Sequence, residues 1–324
     1  MHIPDGLLDP TVVVGTMVIG AGGLAWSTRR IGDQLRDRAT ALMGTMAAFV
    51  FAAQMVNFPV GPLPISGHLI GGVLAAVMLG PWAGAGVIAA VLIVQCLLFA
   101  DGGPRALGAN FVNMGLIGSV VGYAIYAPIR RAIGGRSGVL VGGMVASWFS
   151  VLLAASAFAV ELAASGRRAD FLRVLGWMIL IHAAIGLGEA IITGLVLRAV
   201  LLRRPDLVHD SELAAGPIRW GQVTACGLAV ALALAAFLAP FASEHPDGLE
   251  WVGARLGFNG VDAPDPPFAG PVADYQLAPG FFGEGLATAL AGLIGTAVVF
   301  GVGLAMARAF ARNGPGLGTA PDAA

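Results

Sequence analysis

The first two residues, Met1 and His2, hold three nitrogen donors that can reach one cation. A free α-amine and the His2 backbone nitrogen close a five-membered chelate ring. The same backbone nitrogen and His2 Nδ1 close a six-membered ring. Three nitrogens then share a plane, which suits the square-planar preference of Ni(II) or Cu(II). Zinc prefers a tetrahedron and fits less well. One in-plane position is left. The best candidate for it is His68, which stands beside flexible glycines in GPLPISGHLIGG. The bland alternative is a frayed terminus at His2 and a helix-end polar group at His68. The amine is available only if Met1 is retained. No basic n-region is present, and Asp5 and Asp9 stand where basic residues would be needed, so no cleaved signal peptide is expected.

Other polar residues surround this pair in the sequence. In PDGLL, Pro4 and Gly6 read as a turn that would fold the terminus back into the protein. PDGLE repeats the theme at Pro246, Asp247, Gly248, Leu249 and Glu250. His182 and Glu189 lie seven apart, hence on one helix face. An ionisable group at a bilayer centre costs ~3 kcal/mol or more, so it needs a partner, and these two read as a structural pair. Asn57, Ser66, Asp101, Asn110 and Asn113 could orient ligand histidines or tie helices together. The same two roles are open to Gln54 and Gln95, for which interhelical ties are preferred. His209 and His245 read as solvated loop residues. Cys96 and Cys226 lack metal-ligand spacing and read as small buried hydrophobes.

Composition dictates what must position these groups. The chain has 324 residues, of which 57% are hydrophobic and 11% charged. The charged share is under half of the ~25% of soluble domains, which excludes an ordinary soluble protein. Mean hydropathy is +0.83, which excludes a disordered chain. The 48 glycines lack a Gly-X-Y period, so collagen is excluded. What remains is an all-α polytopic bundle in the cell membrane. About nine spans are expected: 11–26, 40–57, 66–80, 82–100, 108–128, 138–160, 172–197, 220–241 and 283–307. The third is the weakest, because His68 to Gly80 covers only ~20 Å as a helix. It must start deep in the membrane or be shielded by its neighbours.

Arginine placement orients the bundle. One set of connections carries Arg29, Arg30, Arg36, Arg38, Arg130, Arg131, Arg136, Arg198, Arg203, Arg204, Arg219, Arg308 and Arg312. The other carries only Arg105, Arg167, Arg168, Arg173 and Arg255. The positive-inside rule puts the N-terminus outside and the C-terminus inside. His2 and His68 then share the outside face. A polar stretch divides the chain into a seven-span unit at 1–202, a cytoplasmic linker at 203–219 and a two-span unit at 220–312. An acidic outside loop lies within the second unit, and a disordered tail is expected at 313–324. No lysine occurs, so no Walker A motif exists, and no basic run points to nucleic acid.

These residues resemble a known family. MHIPDGLL at the start, NFPVGPLPISGHLIGGVLAAVMLGPWAG at 57–84, DGGPRALGANFVNMGLIG at 101–118 and HAAIGLGEAIITG at 182–194 look like the substrate-capture component of cobalt/nickel energy-coupling-factor transporters. EHPDGLEWVGARLGF at 244–258 looks like the small two-span component of the same systems. The resemblance implies a fused protein that binds Ni(II), alternatively Co(II) for cobalamin synthesis, through Met1, His2 and His68. It implies a transmembrane coupling protein and two ATPase subunits as partners, and no organic cofactor. It also implies that the chain is not itself an enzyme. Two rival classes are an intramembrane metalloenzyme and a divalent-cation channel. The first would need a motif such as HExxH, which is absent. The second would need repeated pore-lining groups. GPLPIS before His68 departs from the glycine-rich stretch of many relatives.

Overall fold

The computed structural model describes residues 2–31, 37–166, 170–209, 219–258, 270–277 and 281–313. Met1, most of the expected linker and the tail beyond residue 313 lie outside them. Ten helices occur among the described residues. They are α1 (Pro10–Ile31), α2 (Asp37–Gln54), α3 (Gly72–Leu79), α4 (Pro81–Val94), α5 (Leu107–Ile133), α6 (Gly135–Ala164), α7 (Phe171–Arg203), α8 (Trp220–Phe241), α9 (Gly248–Leu256) and α10 (Glu284–Asn313). Between α2 and α3 a two-residue antiparallel ladder pairs β1 (Phe58–Pro59) with β2 (Ser66–Gly67). The all-α polytopic membrane class holds.

Seven helices are long and apolar enough to cross a membrane: α1, α4 with its π-helical extension to Phe99, α5, α6, α7, α8 and α10. α2 has a shorter apolar stretch, Thr40–Gln54. The third expected span has a different form from the others. Its first part is the β2 strand and the His68 turn, and only Gly72–Leu79 is helical, ~12 Å long. Every residue of α3 is buried. α3 therefore lies inside the bundle and is screened from lipid by its neighbours. Leu180, Leu187 and Leu195 on α7 point outward, as lipid-facing side chains of a bundle must.

The centre of the bundle is built from small residues, and this lets backbones approach. A Cβ on Gly72 would meet the carbonyl carbon of Gly118 at 2.7 Å, so α3 crosses α5 backbone to backbone. Gly84 of α4 would meet the Ala76 nitrogen at 2.7 Å in the same way. Helices in lipid gain stability from such close packing. Gly72→Ala forces α3 off α5, and overpacking of this kind costs about 1–3 kcal/mol. The expected outcome is a lower unfolding temperature in detergent, with a displaced His68 turn. An unchanged transition would refute the close crossing.

Candidate metal centre

The N-terminal segment folds back into the bundle, as the Pro4–Gly6 turn suggests, with Gly6 at φ +82°. Two side chains fix it. Asn110, at the start of α5, accepts from the Ile3 N–H at 2.7 Å and donates to the Ile3 carbonyl at 3.1 Å. Gly103 N–H reaches the same carbonyl at 3.0 Å. Asp5 Oδ1 accepts from the N–H groups of Arg105 and Ala106, at 2.9 and 3.2 Å. These are free donors just ahead of α5, where a carboxylate is favoured. Ile3 is fully buried and Asn110 nearly so. The register of the chain is thus set at its third residue.

That anchoring delivers His2 onto His68. The two rings stack with centroids 5.1 Å apart and planes 18° from parallel. His2 Nε2 faces Gln95 Oε1 at 3.1 Å, and its Nδ1 faces Asp101 Oδ1 at 3.1 Å. A proton or a metal cation on Nδ1 satisfies that second pair. Burial lowers the pKa of His2 below the ordinary imidazole value, and the Asp101 carboxylate opposes the shift. His68 is held in the turn after β2, with Nδ1 3.1 Å from the Leu69 carbonyl. The turn itself is fixed by Glu189, which accepts from the N–H groups of Ile70 and Gly71 at 2.5 and 2.9 Å.

The second unit reaches the same place. The Ser66 N–H donates to the Pro246 carbonyl at 2.9 Å, and Ser66 Oγ donates to the His245 carbonyl at 2.7 Å. Asp247 and Glu250 form a reciprocal capping box that starts α9, each side chain taking the other's N–H at 2.9 Å. Gly248 sits where a Cβ would meet the His182 ring at 2.9 Å and Ile185 at 2.6 Å. Tyr275 donates to Asp101 Oδ2 at 2.5 Å and stacks on Phe99 with centroids 4.7 Å apart. A cavity of about 1380 Å³ opens over His2 and His68, and Asp101, Asp247, Glu250 and Tyr275 also line it.

Residues 2–207 match the family model CbiM, described as the cobalt uptake substrate-specific transmembrane region. Residues 221–312 match the PDGLE domain. The chain belongs to the CbiM family. A putative fused nickel transport protein NikMN from Archaeoglobus fulgidus is 37% identical over 95% of this chain and 98% of its own length. A cobalt transport protein CbiM from Geobacter sulfurreducens is 29% identical over 67% of this chain and 64% of its own. The crystal structure of a truncated transition metal transporter superposes with a TM-score of 0.57. It is 29% identical and covers 62% of this chain and 99% of that one. These are metal transport proteins, not enzymes.

In this CbiM-family chain the structure brings together His2, His68, Asp101 and the PDGLE turn. Ser66, Asn110 and Glu189 stand behind them. Asn57 lines the cavity, and its carbonyl accepts from the Ser243 N–H at 2.9 Å. Asn113 is elsewhere, donating to Glu161 of α6 at 2.9 Å. His182 and Glu189 do not form the expected pair. His182 Nδ1 bonds the Met178 carbonyl one turn back at 2.8 Å, while Glu189 holds the His68 turn. The shared helix face is real, but nearer backbone groups meet each need first. His209 is not a solvated loop residue. Its N–H donates to the Val77 carbonyl at 2.8 Å, and its ring packs under Gly80. Among the described residues no group of three or more His, Cys, Asp or Glu side chains is placed to hold a metal ion. A chelate drawing on the terminal amine and a backbone nitrogen needs no such group. Sequence reasoning preferred a tie between helices for Gln54 and Gln95 over a place beside the ligand histidines, and it missed Tyr275.

Proposed function

We propose that this chain is the membrane-embedded capture subunit of a Ni(II) importer. The cation is held by the Met1 amine, the His2 backbone nitrogen and Nδ1, and His68. The observation that carries this reading is the stacking of His2 on His68, two residues 66 positions apart in sequence. Asn110 and Asp5 hold the terminus against the bundle, which lowers the entropy cost of a four-donor site. The planar nitrogen set favours nickel. Co(II) capture, as a supply for cobalamin synthesis, is the second reading, favoured by the resemblance to CbiM proteins. The site faces outside. The units at 1–202 and 220–312 act together over it, with the linker between them inside. A separate coupling protein and two ATPase subunits supply the energy, since a chain without lysine has no Walker A lysine.

The test is titration of the purified, tag-free chain with nickel and cobalt in parallel. His68→Ala removes one of four donors and is expected to weaken nickel binding by about 100-fold, roughly 3 kcal/mol. His209→Ala leaves affinity unchanged. Equal binding by His68→Ala and the parent would overturn the site. The proposal also fixes a pH dependence. Cations compete with protons for the terminal amine, whose ordinary pKa is about 8, and for the backbone amide. Burial lowers the pKa of the His2 ring, so its proton competes less than that of the amine. Apparent affinity is therefore expected to rise by about tenfold or more per pH unit between about pH 6 and 8. A flat profile would count against the amine.

A further inference from the structure

Gln54 and Gln95 join α2 to α4, as the sequence suggests, but the bonds between them also have a direction. The Ile70 carbonyl can only accept, and Gln54 Nε2 donates to it at 2.9 Å. This leaves Gln54 Oε1 to accept from Gln95 Nε2 at 2.7 Å. The same Gln95 amide nitrogen donates to the Tyr275 hydroxyl oxygen at 3.3 Å, and that hydroxyl spends its own proton on Asp101. Both N–H groups of Gln95 are then committed. Only its carbonyl is left to face His2 Nε2. A carbonyl cannot donate, so this contact is a hydrogen bond only with a proton on Nε2; Asp101 makes the same demand at Nδ1, and a cation there leaves the ring's one proton on Nε2. Each amide inherits its orientation from the one before, and the first is set by a main-chain group beside the His68 turn.

We infer that the Gln54–Gln95 amide pair, completed by Tyr275 from the second unit, is a positioning device that keeps a proton on His2 Nε2 and presents Nδ1 to the cation. A metal-binding imidazole needs this arrangement. One nitrogen is metallated, and the other donates to a fixed acceptor that sets the ring plane and raises ligand basicity. Gln54 and Gln95 are nearly or fully buried, and the bonds from Ile70 through Gln54 to Gln95 are shielded from water. The ring of Tyr275 is fixed by its stack on Phe99. Asp101 stands on the Nδ1 side, where a cation would lie between ring and carboxylate. The purpose of the device rests on the terminal-chelate reading above, but the direction of its hydrogen bonds does not.

The test is proton–nitrogen correlation spectroscopy of the full chain, labelled with ¹⁵N-histidine, in micelles. It is run metal-free and loaded with nickel, whose planar form is diamagnetic. His2→Ala identifies the His2 signal. A slowly exchanging Nε2–H is expected in both states of the parent. Gln95→Leu should lose it and bind nickel about 10–100-fold more weakly. Gln54→Leu, which does not touch His2, should shift both readouts the same way because it frees the Gln95 amide to turn. Tyr275→Phe keeps the ring on Phe99 and should speed exchange of the Nε2 proton. A parent with its proton on Nδ1 alone would overturn the inference. So would a Gln95→Leu variant with the parent's Nε2–H signal and affinity. A purely structural role would lower the folded fraction and leave the Nε2–H signal of the folded protein in place. If His2→Ala binds nickel as tightly as the parent, the chelate reading fails, while the metal-free spectra still decide the direction of the relay.

Discussion

Acetylating the Met1 α-amine is expected to lower nickel affinity by roughly 1000-fold, about 4 kcal/mol. The size follows from what the addition removes and what it spares. Register is set at Ile3, whose N–H and C=O are both held by Asn110 and whose carbonyl also takes the Gly103 N–H. An acetyl group at the end does not pull on those bonds. His2 stays stacked on His68 and bonded to Gln95. Only the α-amine changes, into an amide that is a far poorer donor, and a chelate ring is lost. Parallel titrations with absorption spectra would check this, because the planar nickel band should disappear with the affinity. Unfolding temperature should stay within a degree or two of the parent. Full affinity in the acetylated protein would remove the amine from the site and shift the search to His68 and Asp101.

The second large effect is expected at Asn110. Asn110→Leu keeps the volume but abolishes both bonds to Ile3. Ile3 is fully buried, so its N–H loses its described partner, and an unpaired buried group of this kind costs about 1–3 kcal/mol. The terminus can escape that cost by undocking into water. Binding then requires redocking first, and apparent affinity falls by the docked fraction. A shift of about 3 kcal/mol predicts roughly 100-fold weaker nickel binding. The bundle itself should persist, since the loss is confined to the terminus. Proteolysis offers a second readout, with cleavage near Pro4–Leu8 in the variant and not in the parent. Parental affinity together with a protected terminus would show that Asp5 alone suffices to dock it.

The membrane fold was legible because apolar runs extend over tens of residues and survive any local error. The third segment was only half legible. Its length was visibly short, but nothing local in GHLIGG reveals that backbone hydrogen bonds there are taken up by Glu189, 119 residues away from Ile70. His2 and His68 could be found because their chemistry is intrinsic, in donor atoms and ring sizes. Gln95 could not. A glutamine within a run of Val, Leu and Ile says only that some partner exists, and His2 lies 93 positions from it. Tyr275 was equally hidden, since its place depends on the path of the loop. Asp274 and Tyr275 both hold positive φ, and no spacing rule foretells that pair. The His182–Glu189 pairing failed for the opposite reason. Helix periodicity placed both on one face, but each found a backbone partner first.

The segment that starts α9 meets the bundle through two hydrogen bonds to Ser66, Gly248 against His182, Trp251 and Arg255 on Trp177, and the buried Leu249 and Val252. Here the segment is tethered at both ends, by α8 and by α10, whose helices pack against the first unit. Tethering turns docking into an intramolecular event at an effective concentration in the millimolar range. Closing a longer loop adds little, because each doubling of length costs only about 0.6 kcal/mol. The seated state therefore needs an intrinsic dissociation constant no better than millimolar. A cover tethered in this way seats over the cavity mouth with no partner to be found by diffusion.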